Sequence, residues 1–152
     1  MKKILVYICT FAFVSFTVDS KKLGSANKHY NTCLTETNVS EDDMITIQDL
    51  IHDRYKSENQ EKLNKNGCVQ QCIFQKNGLM EDAEYKVEKM HTTFIEKTNI
   101  QPGDKRLERL ENCINESKDL TEKCKKAFLF AVCFLKSEQE HMHDYGYSES
   151  AK

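Results

Sequence analysis

The chain has 152 residues, of which 39% are hydrophobic and 30% charged, and its formal net charge at pH 7 is −2. This length predicts a single domain with a modest core. Because the balance of charge is acidic and no concentrated basic surface is indicated, the composition argues against nucleic acid as a partner.

The first twenty residues have the pattern of a secretory signal peptide. Two lysines precede an apolar stretch from Ile4 to Val18, and Val18 and Ser20 suit a cleavage site. A membrane anchor is the alternative, but this stretch of 15 residues is shorter than the roughly 20 that a spanning helix needs. We therefore predict a signal peptide at residues 1–20, secretion, no membrane partner, and one domain at residues 21–152. Cleavage would leave 20 basic and 23 acidic side chains and a formal charge of −3.

Apolar residues at helical spacing predict three helices in the first half of the remaining chain. The first is expected at residues 22–37. Ser40 and Asp43 fit a capping box that would start the second helix, and the polar stretch 56–66 is predicted to be a solvated connection. A third helix would end at Asn77, just before a glycine, since this pair of residues is typical of helix ends.

Three further helices are predicted in the second half. The fourth spans residues 82–97, the fifth begins at Pro102, and the sixth is capped by Thr121. The sixth contains AFLFAVCFL at 127–135, which is apolar all the way round and is therefore typical of a helix buried on every side. From Ser137 onward the chain is polar and is predicted to fray. Since no alternating strand pattern is present, the predicted fold class is all-α.

Six cysteines follow the predicted signal peptide: Cys33, Cys68, Cys72, Cys113, Cys124 and Cys133. Cys68 and Cys72 have three residues between them, whereas a thioredoxin-type redox pair has two and lies beside a βαβ pattern. A zinc site would need a matching downstream pair of Cys or His ligands at the usual distance, which Cys68 and Cys72 lack. For a secreted chain, three disulfides are the simplest interpretation, and the sequence alone leaves their pairing open.

Helical geometry narrows this pairing without deciding it. Cys124 and Cys133 are nine residues apart on one predicted helix, so they face opposite sides and need different partners. Cys68 and Cys72 are four residues apart and share a face, so each can reach a separate neighbouring helix.

The spacing of the cysteines resembles that of one protein family. The gaps between the six contain 34, 3, 40, 10 and 8 residues, and the gaps of three and eight are the most distinctive. This pattern is similar to that of the insect odorant-binding proteins in the pheromone-binding and general odorant-binding family. The segments KNGCVQQCIFQKNGLM (65–80) and QPGDKRLE (101–108) resemble its ant pheromone-binding members. The resemblance covers essentially the whole chain after residue 20. It implies the disulfides Cys33 with Cys72, Cys68 with Cys124, and Cys113 with Cys133.

The resemblance also implies a function. It predicts a secreted carrier that transports a small hydrophobic ligand, an odorant or pheromone, without catalysis or a cofactor, with a role in chemical communication and social behaviour. A compact bundle of about six helices would surround an apolar cavity. Our hypothesis is that the disulfides hold this cavity open, and the alternative is that they only compensate for a small core. A pocket of roughly 300 to 1,000 Å³ would suit such a ligand.

The predicted wall of this cavity takes apolar residues from several helices, and ordinary core packing is the alternative for each of them. The predicted ligand-binding residues are Met44, Ile51, Ile73, Phe74, Met80, Met90, Phe94, Leu110, Ile114, Phe128, Leu129 and Val132. Phe128, Phe130 and Phe134 cannot all face inward, so some of them are expected under other helices or at a contact in a homodimer. His141 and His143 lie in the polar tail and are interpreted as solvated, so no metal site is predicted.

Two other functions compete with the carrier. A secreted helical signalling or defence protein, acting through its surface, is the main alternative. A lipase or esterase is disfavoured, because the sequence contains neither a Gly-x-Ser-x-Gly nucleophile motif nor a His-Glu-x-x-His metal motif.

Overall fold

The computed structural model describes residues 21–146 of the chain, so the predicted signal peptide lies outside the described residues. Within this range six α-helices follow one another: α1 Tyr30–Thr37, α2 Ile47–Ile51, α3 Gln60–Lys76, α4 Val87–Thr98, α5 Lys105–Ser117 and α6 Lys123–Gly146. Short 3₁₀ turns at Glu41–Asp43 and Arg54–Ser57 flank α2, and an antiparallel pair of two-residue strands, β1 Met80–Glu81 and β2 Glu84–Tyr85, joins α3 to α4. The predicted all-α class with about six helices is confirmed. No helix among the described residues is both long enough and apolar enough to cross a membrane.

Three disulfides tie the helices together. Cys33–Cys72 joins α1 to α3, Cys68–Cys124 joins α3 to α6, and Cys113–Cys133 joins α5 to α6. The pairing implied by the family resemblance is confirmed. Both long helices are thereby held on two sides, α3 by α1 and α6, and α6 by α3 and α5.

The core consists of three clusters of buried side chains. The Leu50 cluster contains Leu23, Ile45, Leu50, Phe128, Ala131 and Val132. The Val69 cluster contains Tyr30, Cys33, Val39, Met44, Val69 and Ile73. The Leu110 cluster contains Met90, Phe94, Leu110, Cys113, Ile114 and Phe130. Phe74 of α3 packs against all three, so α3 is the element that connects them.

The predicted starts of the first two helices are wrong, and tertiary contacts explain why. The first helix begins at Tyr30 rather than at residue 22, because the preceding segment pairs with a distant one: Leu23 N donates to Ile45 O at 2.9 Å. Ser40 does act as a cap, accepting a hydrogen bond from Asp42 N at 3.3 Å, but it caps a 3₁₀ turn. The helix α2 starts only at Ile47, after its own cap at Thr46.

The predicted solvated connection at 56–66 is also wrong. Asn59 caps α3, its side chain accepting from Lys62 N at 2.8 Å, and the helix runs from Gln60. Asn66 in this stretch is fully buried, because its amide accepts from Ile45 N at 2.8 Å and donates to a backbone carbonyl of the facing segment. The predicted end of this helix at Asn77 is confirmed.

In the second half the helix starts are displaced. The fourth helix begins at Val87 rather than at residue 82, because the β1–β2 pair occupies the preceding residues. The fifth begins at Lys105 and is capped by Asp104, which accepts from Arg106 N at 2.8 Å, whereas Pro102 lies in the turn before it.

The sixth helix differs from its prediction at both ends. Glu122 rather than Thr121 caps it, accepting from the backbone N–H of Cys124 at 2.9 Å and of Lys125 at 2.6 Å. The helix continues to Gly146 instead of fraying at Ser137, since side chains of α5 bind its last turns.

Candidate functional site

An apolar cavity of about 270 Å³ lies where the Leu50 and Leu110 clusters meet. It is lined by Leu23, Gly24, Gln70, Phe74, Leu79, Met90, Thr93, Phe94, Lys97, Leu110, Phe130, Ala131, Phe134 and Leu135. The predicted cavity is thus present, with a volume just below the predicted range.

Four phenyl rings form one continuous side of this cavity, referred to below as the aromatic wall: Phe74, Phe94, Phe130 and Phe134. Phe130 and Phe134 stack with their ring centroids 5.9 Å apart. Phe74 meets Phe130 edge to face at 5.7 Å, and Phe94 meets Phe134 edge to face at 5.6 Å. These are the offset and T-shaped arrangements that aromatic pairs favour, so the rings hold one another in place.

The helix α4 contributes one stripe of its surface to the cavity. Met90, Thr93, Phe94 and Lys97 follow one another at the helical spacing of three and four residues, and all four line the cavity. Met90 and Phe94 are buried, whereas Lys97 is exposed. The stripe therefore passes from the interior to solvent. Because Lys97 is the only lining residue within 21–146 that is exposed, we place the open end of the cavity there.

Contacts behind the aromatic wall fix its rings from the far side. The Arg106 guanidinium lies over the Phe94 ring, 5.3 Å from its centroid, and pairs with Glu138 of α6. The ring of Tyr85 lies 5.6 Å from that of Phe130, and the Tyr85 hydroxyl is 2.5 Å from Ser117 Oγ. Burial raises the pKa of Tyr85 to about 12.

Gln70 is the buried polar side chain on the cavity lining. It is 3% exposed, and its Nε2 donates to Leu23 O at 3.3 Å. This bond holds the amide against the segment before α1 and satisfies a donor next to an apolar space. The cavity interior thus contains a neutral amide and, on α4, the hydroxyl of Thr93, but no charged group among the described residues.

The structure places four of the predicted ligand-binding residues on the cavity lining: Phe74, Met90, Phe94 and Leu110. The others lie elsewhere. Met44 and Ile73 belong to the Val69 cluster, Phe128 and Val132 to the Leu50 cluster, and Ile114 to the Leu110 cluster away from the cavity. Met80 is buried on β1 and Ile51 is half-buried at the end of α2.

Leu129 departs most from its predicted position. Its side chain is 39% exposed and lies in an outer groove beside Tyr55, on a different side of α6 from Phe130. Because the segment 127–135 is apolar all round, its sequence does not indicate which side faces a cavity. The prediction therefore left out four residues of α6 that line the cavity: Phe130, Ala131, Phe134 and Leu135. Phe130 with Phe134 and Ala131 with Leu135 are each four residues apart, so they form two adjacent rows on the helix.

Within the part of the chain that the structure describes, no three His, Cys, Asp or Glu side chains are arranged so that they could hold a metal ion. His91 and Glu111 form a pair across α4 and α5 at 2.7 Å.

Comparison with known proteins gives one consistent result. Residues 16–137 match the model of the PBP/GOBP family. Over 143 residues the chain is 46% identical to the pheromone-binding protein Gp-9 of Solenopsis globularia littoralis, an alignment that covers 91% of this chain and 92% of that protein. Proteins of the same name from Solenopsis nigella gensterblumi and Solenopsis richteri are 43% and 42% identical, with 91% of this chain and 94% of each relative covered. No solved structure matches the chain significantly.

Proposed function

Because the chain belongs to the PBP/GOBP family, we propose that it is a secreted carrier that binds a small hydrophobic ligand, an odorant or pheromone, and transports it through extracellular fluid without catalysis. The resemblance found in the cysteine pattern, and the narrower one to pheromone-binding members, are confirmed by these relatives. A role in chemical communication and social behaviour is part of the same proposal and is supported by the pheromone-binding names of the relatives.

The observation that carries this proposal is the apolar cavity with its aromatic wall. Protein interiors are close-packed, and a space of about 270 Å³ leaves its lining without contacts that a ligand could supply. An apolar cavity of about 150 Å³ accommodates benzene, so by proportion this one has room for about ten carbon atoms.

The energetics agree with a ligand of that size. Each buried methylene contributes about 0.8 kcal/mol, so ten carbons contribute about 8 kcal/mol before the costs of association. Micromolar affinity corresponds to about −8 kcal/mol. A reversible carrier with affinity near the micromolar range is therefore within reach of hydrophobic burial alone.

A displacement assay tests the proposal. The protein is loaded with a fluorescent apolar probe, and 1-decanol and decanal are added at increasing concentration. We expect saturable displacement by both. A tryptophan in place of Thr93 would project into the cavity and is expected to weaken probe and ligand binding at least tenfold, because the added ring occupies the space of the ligand.

Thr92 provides the matched control for this variant. It is the neighbouring residue on α4, it is exposed, and it lies outside the cavity lining. Thr92→Trp is expected to bind probe like the wild type. If no apolar ligand displaces the probe from the wild type, or if Thr93→Trp and Thr92→Trp bind equally well, the carrier proposal is wrong and a protein that acts through its surface becomes the better explanation.

A further inference from the structure

Lys97 has an unusual position for a lysine. It is the only charged residue on the cavity lining within residues 21–146, and it occupies the last position of the α4 stripe. Most amphipathic helices keep lysine on the face opposite to their apolar stripe. Here the apolar stripe of Met90 and Phe94 continues into a lysine at the point where the cavity opens.

The ammonium group of Lys97 is also unpaired in this structure. Its side chain has no hydrogen-bond or ion-pair partner among residues 21–146. Some other lysines of the helices do have such partners, as Lys62 does with Glu58 at 3.1 Å and Lys76 with Glu36 at 2.9 Å. Lys97 thus presents a free positive charge at the edge of an apolar space.

We infer that the ligand of this cavity is an amphiphile with an anionic head, a carboxylic acid with a chain of about ten carbons. This inference rests on the proposed carrier function. Its carboxylate, which is ionised at pH 7, binds Lys97 at the opening, and its chain lies along the aromatic wall.

The rest of the lining fixes this orientation. The interior offers four phenyl rings and two neutral polar groups, Gln70 and Thr93, so a carboxylate placed there would be desolvated without a countercharge. At the opening the same carboxylate stays in contact with water and meets an ammonium. The hydrocarbon chain has the opposite preference, since the interior is the apolar part of the cavity.

The charge of the head group provides the test. Decanoic acid, 1-decanol and decylamine have the same chain length, and each is measured by displacement of the apolar probe at pH 7. In Lys97→Gln we expect decanoate to bind about threefold to tenfold more weakly than in the wild type, with decanol unchanged, as is typical of a partly exposed, charge-assisted hydrogen bond. In Lys97→Glu decanoate should weaken further and decylamine should bind more tightly.

Lys89→Gln is the control for a general effect of charge. Lys89 is an exposed lysine on the same helix and does not line the cavity, so this variant is expected to bind all three compounds like the wild type. Normal binding of decanol also shows that each variant is folded.

The outcomes separate this inference from the proposed function. If decanol fails to displace the probe from the wild type, the carrier proposal itself is wrong. A second outcome is that decanol displaces the probe while the ratio of decanoate to decanol affinity is the same in the wild type, Lys97→Gln and Lys97→Glu. In that case the carrier proposal holds and the inference of an anionic head group is wrong.

Discussion

Gly67 is buried on α3 at the point where this helix crosses α6. A Cβ atom at this position would lie 2.8 Å from the carbonyl carbon of Cys124 and closer still to its oxygen. Its next neighbour is Cβ of Phe128, at 3.2 Å. Because two of these atoms belong to the backbone of another helix, they cannot move aside as the end of a side chain could. Glycine here allows α3 and α6 to approach closely.

Replacing Gly67 by alanine is therefore expected to destabilise the protein, although alanine is the better helix former. The gain in helix propensity is about 1 kcal/mol, whereas overpacking of a core costs about 1 to 3 kcal/mol and more when backbone must shift. We expect a net loss of about 1 to 2 kcal/mol in the free energy of unfolding, measured by urea denaturation. Asn64→Ala, at an exposed position of the same helix, should leave it unchanged or slightly raised. A more stable Gly67→Ala would contradict the close crossing.

The burial of Tyr30 leads to a prediction about how the stability of the protein depends on pH. Its side chain is 4% exposed and its hydroxyl has no hydrogen-bond partner among the described residues. Burial, and secondly the negative charge of Glu41, raises the pKa of Tyr30 to about 12. In the unfolded chain the pKa of tyrosine is about 10. The folded state therefore keeps the full contribution of neutral Tyr30 below pH 10 and loses it as the pH rises from 10 to 12.

Phenylalanine at position 30 cannot ionise, so the variant Tyr30→Phe should not show this loss of stability at high pH. We expect it to be as stable as the wild type at pH 7 or more stable by about 1 kcal/mol, because a buried hydroxyl without a partner is removed. The difference in free energy of unfolding between this variant and the wild type should be larger by about 1 kcal/mol at pH 11 than at pH 7, measured by urea denaturation at both pH values. Any other group that titrates in this pH range is present in both proteins, so its effect cancels in the comparison. An equal loss of stability in the two proteins between pH 7 and 11 would show that Tyr30 does not titrate as described.

At the scale of elements, the last turns of α6 are held by two arginines of α5. Arg106 donates to both carboxylate oxygens of Glu138, from Nε at 3.3 Å and from Nη2. Arg109 donates to Ser137 O at 3.2 Å. These contacts convert a polar sequence into ordered helix, and through Arg106 they also reach the Phe94 ring of the aromatic wall.

A double-mutant cycle measures this attachment. The side chains of Arg106 and Glu138 are 15% and 25% exposed, so their bidentate pair is screened less by water than a surface pair. Combining Arg106→Gln with Glu138→Gln, we expect a coupling energy of about 1 kcal/mol in urea denaturation, against at most a few tenths for the exposed pair of Arg54 and Asp49. Equal coupling energies for the two pairs would mean that the contact does not stabilise the end of α6.

The same elements show what the sequence could predict. Helix interiors followed from apolar spacing, as in α5, where Leu107, Leu110 and Ile114 lie on one face. Helix ends did not, because they depend on distant partners: α1 starts late since Leu23 binds Ile45. A charged stretch such as 56–66 is a solvated connection only if its polar side chains have no hydrogen-bond partners inside the protein. Asn66 has three hydrogen bonds inside the fold, which no local pattern reveals.

At the scale of the whole molecule, the cavity could be predicted in kind but only partly in its residues. Phe94 and Met90 were identified because α4 has a single apolar face, which must turn inward. On α6 every face is apolar, and the side that borders the cavity is decided by how α3, α4 and α5 are arranged around it. The polar members Gln70 and Lys97 were missed for a different reason, since an apolar pattern cannot select them.

The disulfides raise the remaining question, whether they only stabilise the fold or also hold the cavity open. Cys113–Cys133 closes a separation of 20 residues and Cys33–Cys72 one of 39. The chain-entropy estimate of their stabilisation is roughly 3 kcal/mol for the shorter loop and roughly 4 for the longer one. Cys113 belongs to the Leu110 cluster, several members of which line the cavity, whereas Cys33 belongs to the Val69 cluster, none of whose buried members does. None of these four cysteines lines the cavity itself.

If the disulfides hold the cavity open, the deletion that costs more stability should not be the one that costs more ligand affinity. Replacing Cys33 and Cys72 by serine should cost more stability and leave probe affinity close to that of the wild type. Replacing Cys113 and Cys133 should cost less stability and weaken binding about tenfold, since α5 and α6 can then move into the unfilled space that Leu110 and Phe130 border. Affinity is measured at a temperature where circular dichroism shows both variants folded, and stability by urea denaturation. Should the losses of affinity follow the losses of stability in the same order, the disulfides act on the cavity only by stabilising the folded state.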